Sequence, residues 1–199
     1  MIGMERARGN ENVRKMVWGA LLSGLATVLM YVDTVMPLFP SFLKMDLSDV
    51  PALIGAFAWG PGNGVAIEAV KNLLHCAASS SAGVGEMANF VMGSALVLPA
   101  GLIYRANKTK TGALVGMAAG VATMTATAAI LNGTVLIPLY SKFVPIDTII
   151  SMAGAAIPAI EDVPSLVIYG IVPFNLLKGT VVSISTFWLY KRISPLLGG

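Results

Sequence analysis

Apolar residues fall into about six stretches along the chain: Val13 to Met36, Val50 to Trp59, Gly62 to Ala78, Met87 to Tyr104, Gly112 to Tyr140 and Ser165 to Tyr190. A helix needs roughly 20 residues to cross a hydrocarbon core, so the longer stretches predict transmembrane helices. The second stretch is short; it either borrows polar flanks, sits deep among other helices, or spans incompletely. The expected fold is all-α: a polytopic membrane protein, a bundle of six transmembrane helices forming one domain over residues 1–199, with no linker or low-complexity tract to divide it.

Composition agrees with the pattern. At 56% hydrophobic, 12% charged and a mean hydropathy of +0.78, the chain has too little charge to cover a soluble domain. Met1 to Lys15 is polar and mixed in charge, without the short apolar run and small-residue cleavage site of a signal peptide, so the first apolar segment is expected to stay in the membrane. The lone Cys76 cannot form an internal disulfide and is expected to be a packed small apolar residue.

The charges then orient the bundle. Arg6, Arg8, Arg14 and Lys15 precede the first helix, Arg105, Lys108 and Lys110 lie between the fourth and fifth, and Lys191 and Arg192 follow the last, so nine of the thirteen cations fall on one face. The positive-inside rule places that face, and both termini, in the cytoplasm. Trp18, Trp59 and Trp188 fall at the same helix ends, where an indole prefers the headgroup region. Asp33, Asp46, Asp49, Glu86, Asp147, Glu161 and Asp162 map to the outer side, which also carries the longer loops. The basic residues form no interleaved patch of the kind that binds nucleic acid, and none is expected as a partner.

Candidate chemistry gathers on that outer side. Pro173-Phe174-Asn175-Leu176-Leu177-Lys178 sets an amide and an ammonium three residues apart on one helix face within an apolar segment. An ionisable residue at such a position marks a functional site or pairs with a helix carbonyl or a carboxylate elsewhere in the bundle. Asn132 on the fifth helix adds a second amide, and Glu86 and Asn89 on the fourth add further polar groups; convergent polar groups in an apolar cavity suit a small neutral ligand with an imide or pyrimidine-like edge. The loop from Pro37 to Pro51 mixes prolines, aromatics and charges, and an extended Phe42 to Asp46 would present one apolar and one polar face, as a lid does. Ser48 is expected to N-cap the second helix, with Asp49 at its positive end. Glu68 and Lys71 are read as a structural pair, and His75 has no second His or Cys at metal spacing, so no metal site is expected. The long outer segment from Ser141 to Pro164 admits a short helix or an irregular lid.

Taken together, Phe42-Leu43-Lys44-Met45-Asp46-Leu47-Ser48-Asp49-Val50-Pro51-Ala52-Leu53-Ile54-Gly55, Lys71-Asn72-Leu73-Leu74-His75, Gly85-Glu86-Met87-Ala88-Asn89-Phe90 and Pro173-Phe174-Asn175-Leu176-Leu177-Lys178-Gly179 closely resemble the riboflavin-specific substrate-binding subunits (S components) of energy-coupling factor transporters. The resemblance implies a six-helix membrane protein that captures riboflavin under the loop after helix one and does not transport alone: a transmembrane coupling protein and two cytoplasmic ATPases drive uptake while the binding subunit topples in the membrane. Carried over by motif, Asn132, Asn175 and Lys178 are polar ligand contacts, Leu43, Lys44, Met45 and Asp46 contribute from the loop, and Glu86 and Asn89 match the pattern as further candidates. Riboflavin is then the cargo, and no cofactor is implied.

Two residue patterns bear on the partners. No stretch matches Gly-x-x-x-x-Gly-Lys-Ser/Thr, so any ATP energy must come from another chain. Gly19, Ala20, Ser23 and Gly24 form overlapping small-xxx-small pairs on the first helix, suited to docking another helix or to packing within the bundle. The rivals are an S component for another vitamin and an intramembrane enzyme; against the latter, there is no His-Glu-x-x-His, no aspartate cluster and no Ser/His arrangement at matching depth.

Overall fold

In the computed structural model, which describes residues 2–79 and 81–197, nearly every apolar stretch carries a helix. The order is α1 (Ile2–Tyr31), a two-stranded ribbon of β1 (Thr34–Val35) and β2 (Lys44–Met45), α2 (Asp49–Trp59), α3 (Pro61–His75), α4 (Val84–Ala106), α5 (Lys110–Leu131), α6 (Ile146–Ala156) and α7 (Val172–Leu197). The side chains of Arg6 and Arg8 lie outside the described part. Four segments are long and apolar enough to cross a membrane: Glu11–Tyr31, Val84–Ala106, Lys110–Tyr140 and Val163–Ile193. Their outward faces carry large apolar side chains, Leu21, Leu25 and Val28 on α1 and Ile184 and Trp188 on α7 among them, as lipid-facing surfaces should.

The short second stretch takes the buried option. The 11 residues of α2 rise only about 17 Å, and every residue from Asp49 to Phe57 is buried, because α1, α3, α4 and α7 pack around it. Gly60 turns the chain out of α2 with φ +100°, a conformation glycine adopts without steric penalty, and Pro61 starts α3 where its missing N–H costs nothing. Helix α3 buries one stripe, Gly64, Ile67, Glu68, Lys71 and Asn72, against that centre. Helices α4 and α5 pack backbone to backbone: a Cβ on Gly116 would lie 2.7 Å from the Ala100 carbonyl oxygen and one on Gly120 would overlap that of Leu96, so α5 meets the α4 backbone through these two glycines.

Two helices widen at the end of the bundle that carries the loop after α1. A π-helical segment, Asn132–Leu136, continues α5 into a last turn Ile137–Tyr140, and another, Leu166–Ile171, leads into α7. Each stands just before a proline, Pro138 and Pro173, whose ring clashes with the carbonyl four residues back and has no N–H to offer it; the wider turn relieves both problems. The segment from Ser141 to Pro164 resolves into α6 and a capped turn, where the Asp162 carboxylate accepts from Ser165 N–H at 2.8 Å. Ser165 bonds hold the Asp162 carboxyl below its ordinary range. Cys76 departs from expectation: it lies exposed in the turn after α3, where the chain leaves the packed face of that helix.

Candidate functional site

The loop after α1 folds back as a ribbon, with Thr34 opposite Met45 and Val35 opposite Lys44. Alternation puts Lys44 outward, on Asp33 at 2.8 Å, and its neighbour Leu43 on the core; Asp46, just past the last paired residue Met45, is buried where the chain leaves the ribbon. The exposed Lys44–Asp33 pair contributes little to stability. At the ribbon's end the Asp46 carboxylate accepts from Ser48 N–H and from Lys178 Nζ, both at 2.8 Å. Burial raises the Asp46 carboxyl, but the Lys178 and Lys71 ammoniums and the bonds from Lys178 and Ser48 outweigh it and hold it at about 2. A second contact pins the loop to the same helix: the Phe39 ring meets Phe174 edge-on, with centroids 5.4 Å apart.

Behind Asp46 runs a chain of buried charge. Lys178 Nζ also lies 3.8 Å from Asp49 Oδ2, Asp49 Oδ1 accepts from Lys71 Nζ, and Lys71 Nζ lies 2.8 Å from Glu68 Oε2. Asp46, Asp49, Glu68, Lys71 and Lys178 are all buried, so the chain ties the loop, α2, α3 and α7 together in a medium where unpaired charge is costly. The expected Glu68 and Lys71 pair is present, with Asp49 as an added partner. Ser48 departs from expectation: it occupies the N-cap of α2 but makes no side-chain capping bond, because its hydroxyl accepts from Lys71 Nζ at 2.9 Å. Glycine at position 93 of α4 makes room for this chain, since a Cβ there would overlap the Glu68 carboxylate.

Asn132 opens the first π-helical segment and Asn175 lies about one turn beyond the second, and the two segments pack against each other. Asn132 donates to Ala128 O and Asn175 to Ile171 O, each at 2.8 Å, so both side chains are braced against their own helices. Their carbonyl oxygens accept no hydrogen bond among the described residues, and the Asn89 carbonyl oxygen is buried without a partner. Such acceptors suit the N–H of a heterocycle. Glu86 belongs to a different cluster: its carboxylate meets His75 Nδ1 at 2.9 Å, Ser79 Oγ at 2.8 Å and Ser81 Oγ at 3.2 Å.

Of the residues expected at the site, the structure joins Asp46 directly to Lys178, turns Lys44 outward and commits Glu86 to His75 and two serines; Phe39, not among them, lies beside Asn175's neighbour Phe174. Of the two readings of Lys178, the structure shows the pairing with a carboxylate elsewhere in the bundle, and that carboxylate, Asp46, comes from the loop after α1. Sequence reasoning missed Asp49 as the bridge between the two lysines. Its signal was a carboxylate at the start of an otherwise apolar, wholly buried helix. On α1 the small-residue quartet divides: Ala20 and Gly24 are exposed, Ser23 is buried, and a Cβ on Gly19 or Gly24 would meet nothing within 4 Å.

Comparison with known proteins is consistent across sequence and structure. Residues 14–190 match the family model for the ECF transporter, substrate-specific component. The chain is 35% identical over 188 residues to the riboflavin transporter FmnP of Bacillus subtilis, covering 92% of this chain and 93% of that one. It is 33% identical over 197 residues to the riboflavin transporter RibU of Staphylococcus aureus, covering 99% and 98%. A solved structure of the S component of a bacterial ECF transporter superposes with a TM-score of 0.75 at 32% identity, covering 94% of this chain and 98% of that one.

Proposed function

The chain belongs to the substrate-specific components of ECF transporters, and from that premise we propose that it captures riboflavin beneath the ribbon loop, between that loop and the outer ends of α5 and α7. The observation that carries this reading is the buried Asp46–Lys178 pair, which fastens a mobile type of element, a loop, to the helix that also presents Asn175. Relatives matched over almost their whole length are riboflavin transporters. A flavin offers a large apolar face and a pyrimidine-like edge with one N–H between carbonyls; the free amide oxygens of Asn132 and Asn175 match that donor, and Lys178 and Asp46 can serve the ribityl hydroxyls. The protein acts as a binding subunit rather than an enzyme.

In this reading the helices cross the membrane six times with both termini in the cytoplasm, and the bundle reorients with a transmembrane coupling protein and two ATPase subunits. The exposed Ala20 and Gly24 support a docking face on α1. Bulky residues at both positions are expected to abolish co-purification with the coupling protein while leaving riboflavin binding intact; retained assembly counts against the docking role.

The deciding experiment is titration of the purified protein with riboflavin, followed by quenching of flavin fluorescence. Saturable binding is expected, weakened in N175A and K178A. Absence of binding by monodisperse protein overturns the riboflavin assignment and directs the search to other vitamins. Riboflavin is expected to bind better than its phosphate, because the Asp46, Asp49 and Glu86 carboxylates crowd this end of the bundle; comparable affinities refute that argument.

A further inference from the structure

A cavity opens at the end of the bundle opposite the ribbon loop. It encloses about 470 Å³ and is walled by Ala56 to Gly60 at the end of α2, with Glu11, Arg14 and Lys15 of α1, Arg105 of α4 and Lys108 beyond it. Among the described residues four cations therefore face one carboxylate, Glu11, which lies 2.9 Å from Lys15. Arg105 and Lys108 are exposed and make no ion pair among the described residues. Two of the carbonyls at the end of α2 are engaged within the chain: Ala56 O accepts from Gly60 N–H and Trp59 O from Asn63 Nδ2, each at 2.9 Å. The excess positive charge sits where the apolar spans end, since Arg105 closes the span Val84–Ala106 and Arg14 lies near the start of the span Glu11–Tyr31. Phe57 and Trp59 supply an aromatic wall on the bundle side.

We propose that this cavity is a binding site for the phosphate group of an anionic glycerophospholipid, held by Arg105 and Lys108, with the glycerol against Trp59 and the acyl chains along the lipid-facing bundle. A cationic cradle at the depth of the membrane boundary, joined to apolar walls, matches an amphiphile with a phosphodiester at the junction of polar and apolar parts. A free phosphate satisfies the cations and leaves the aromatic wall without a partner.

The test uses the full chain delipidated in dodecyl maltoside, with thermal stability and native mass spectrometry as readouts. The added probes are dioleoylphosphatidylglycerol, dioleoylphosphatidylcholine and inorganic phosphate. Phosphatidylglycerol is expected to bind and stabilise over phosphatidylcholine, and R105Q/K108Q is expected to reduce that preference on the order of tenfold, given the usual attraction per basic residue at an anionic surface. K142Q, at the other end of the chain's charge distribution, should keep the preference. Circular dichroism and a monodisperse elution profile establish that the double variant is folded; if it is not, K108Q alone is read in the same way, with a smaller loss expected. Equal binding of the two lipids, an unchanged preference in the variants, or full stabilisation by inorganic phosphate alone overturns the assignment. So does a double variant that keeps its lipid preference but loses the coupling protein, which would make this face a protein interface.

Discussion

Replacing Lys71 with methionine keeps the length of the side chain and removes the central cation of the buried ion chain. Lys71 touches Asp49, lies 2.8 Å from Glu68 Oε2, donates to Ser48 Oγ at 2.9 Å and has no exposed surface. In the variant Asp49 retains only Lys178 at 3.8 Å, and Glu68 retains no cation in contact. Removing one partner of a buried pair costs roughly 3–5 kcal/mol, and the residual contact of Asp49 with Lys178 offsets a part, so a loss of about 3 kcal/mol is expected. Reversible unfolding in mixed micelles measures it. K71M/E68Q removes one of the two stranded carboxylates and should recover on the order of 1 kcal/mol or more, a coupling that a double-mutant cycle isolates. Riboflavin titration supplies a second readout: with Lys71 gone, Asp49 draws Lys178 away from Asp46, and affinity should weaken on the order of tenfold although Lys71 itself is bonded to Asp49, Glu68 and Ser48. A K71M protein within about 0.5 kcal/mol of the parent, or strictly additive effects in the cycle, would refute the reasoning.

The remaining predictions test the loop and the helix contacts. Asp46 is depressed from 3.8 to about 2, so its contribution, ~2 kcal/mol, is complete above about pH 4 and lost as pH falls toward 2; pepsin should leave the loop after α1 intact at pH 4 and cut it near pH 2, and equal cutting at both would show that the pair does not hold the loop. Gly93→Val should displace the Glu68 carboxylate and cost ~1–3 kcal/mol by overpacking, read as a lowered melting temperature. Gly116→Leu should separate α4 from α5 and destabilise at least as much, whereas Gly62→Ala, where an added Cβ meets nothing within 4 Å, should be near neutral; similar effects at the two glycines would contradict the packing.

The helices were legible because lipid demands long apolar segments with satisfied backbones, and the sequence carries them openly. Pairings across the bundle were less so. Lys178 and Asp46 stand 132 residues apart, and only an ionisable group placed where lipid forbids it announces that a counter-ion must exist somewhere. Asp49 and Ser48 looked like helix-start residues because a buried bridge and a cap use the same residue types; the three-dimensional position of Lys71 decides between them. The π-helical segments escaped notice as well, though Pro138 and Pro173 mark the turns that widen.

The ion chain also constrains how a ligand enters. Riboflavin carries no net charge at neutral pH, so it cannot replace Asp46 as the counter-ion of a buried Lys178, and breaking that pair to insert the ligand between the two groups would leave Lys178 only the more distant Asp49 at 3.8 Å and Asp46 no cation in contact. On the proposed reading Asp46 therefore stays with Lys178 in the occupied state, and riboflavin is expected beside the pair, toward Asn132 and Asn175. Because Asp46 belongs to the loop, keeping the pair closes the loop over the ligand. A phosphorylated flavin could instead compete for Lys178, but only by turning Asp46 away without a partner and bringing its own charge toward Asp49. Discrimination against the phosphate and closure of the lid are then consequences of one buried pair, and D46N should weaken both together.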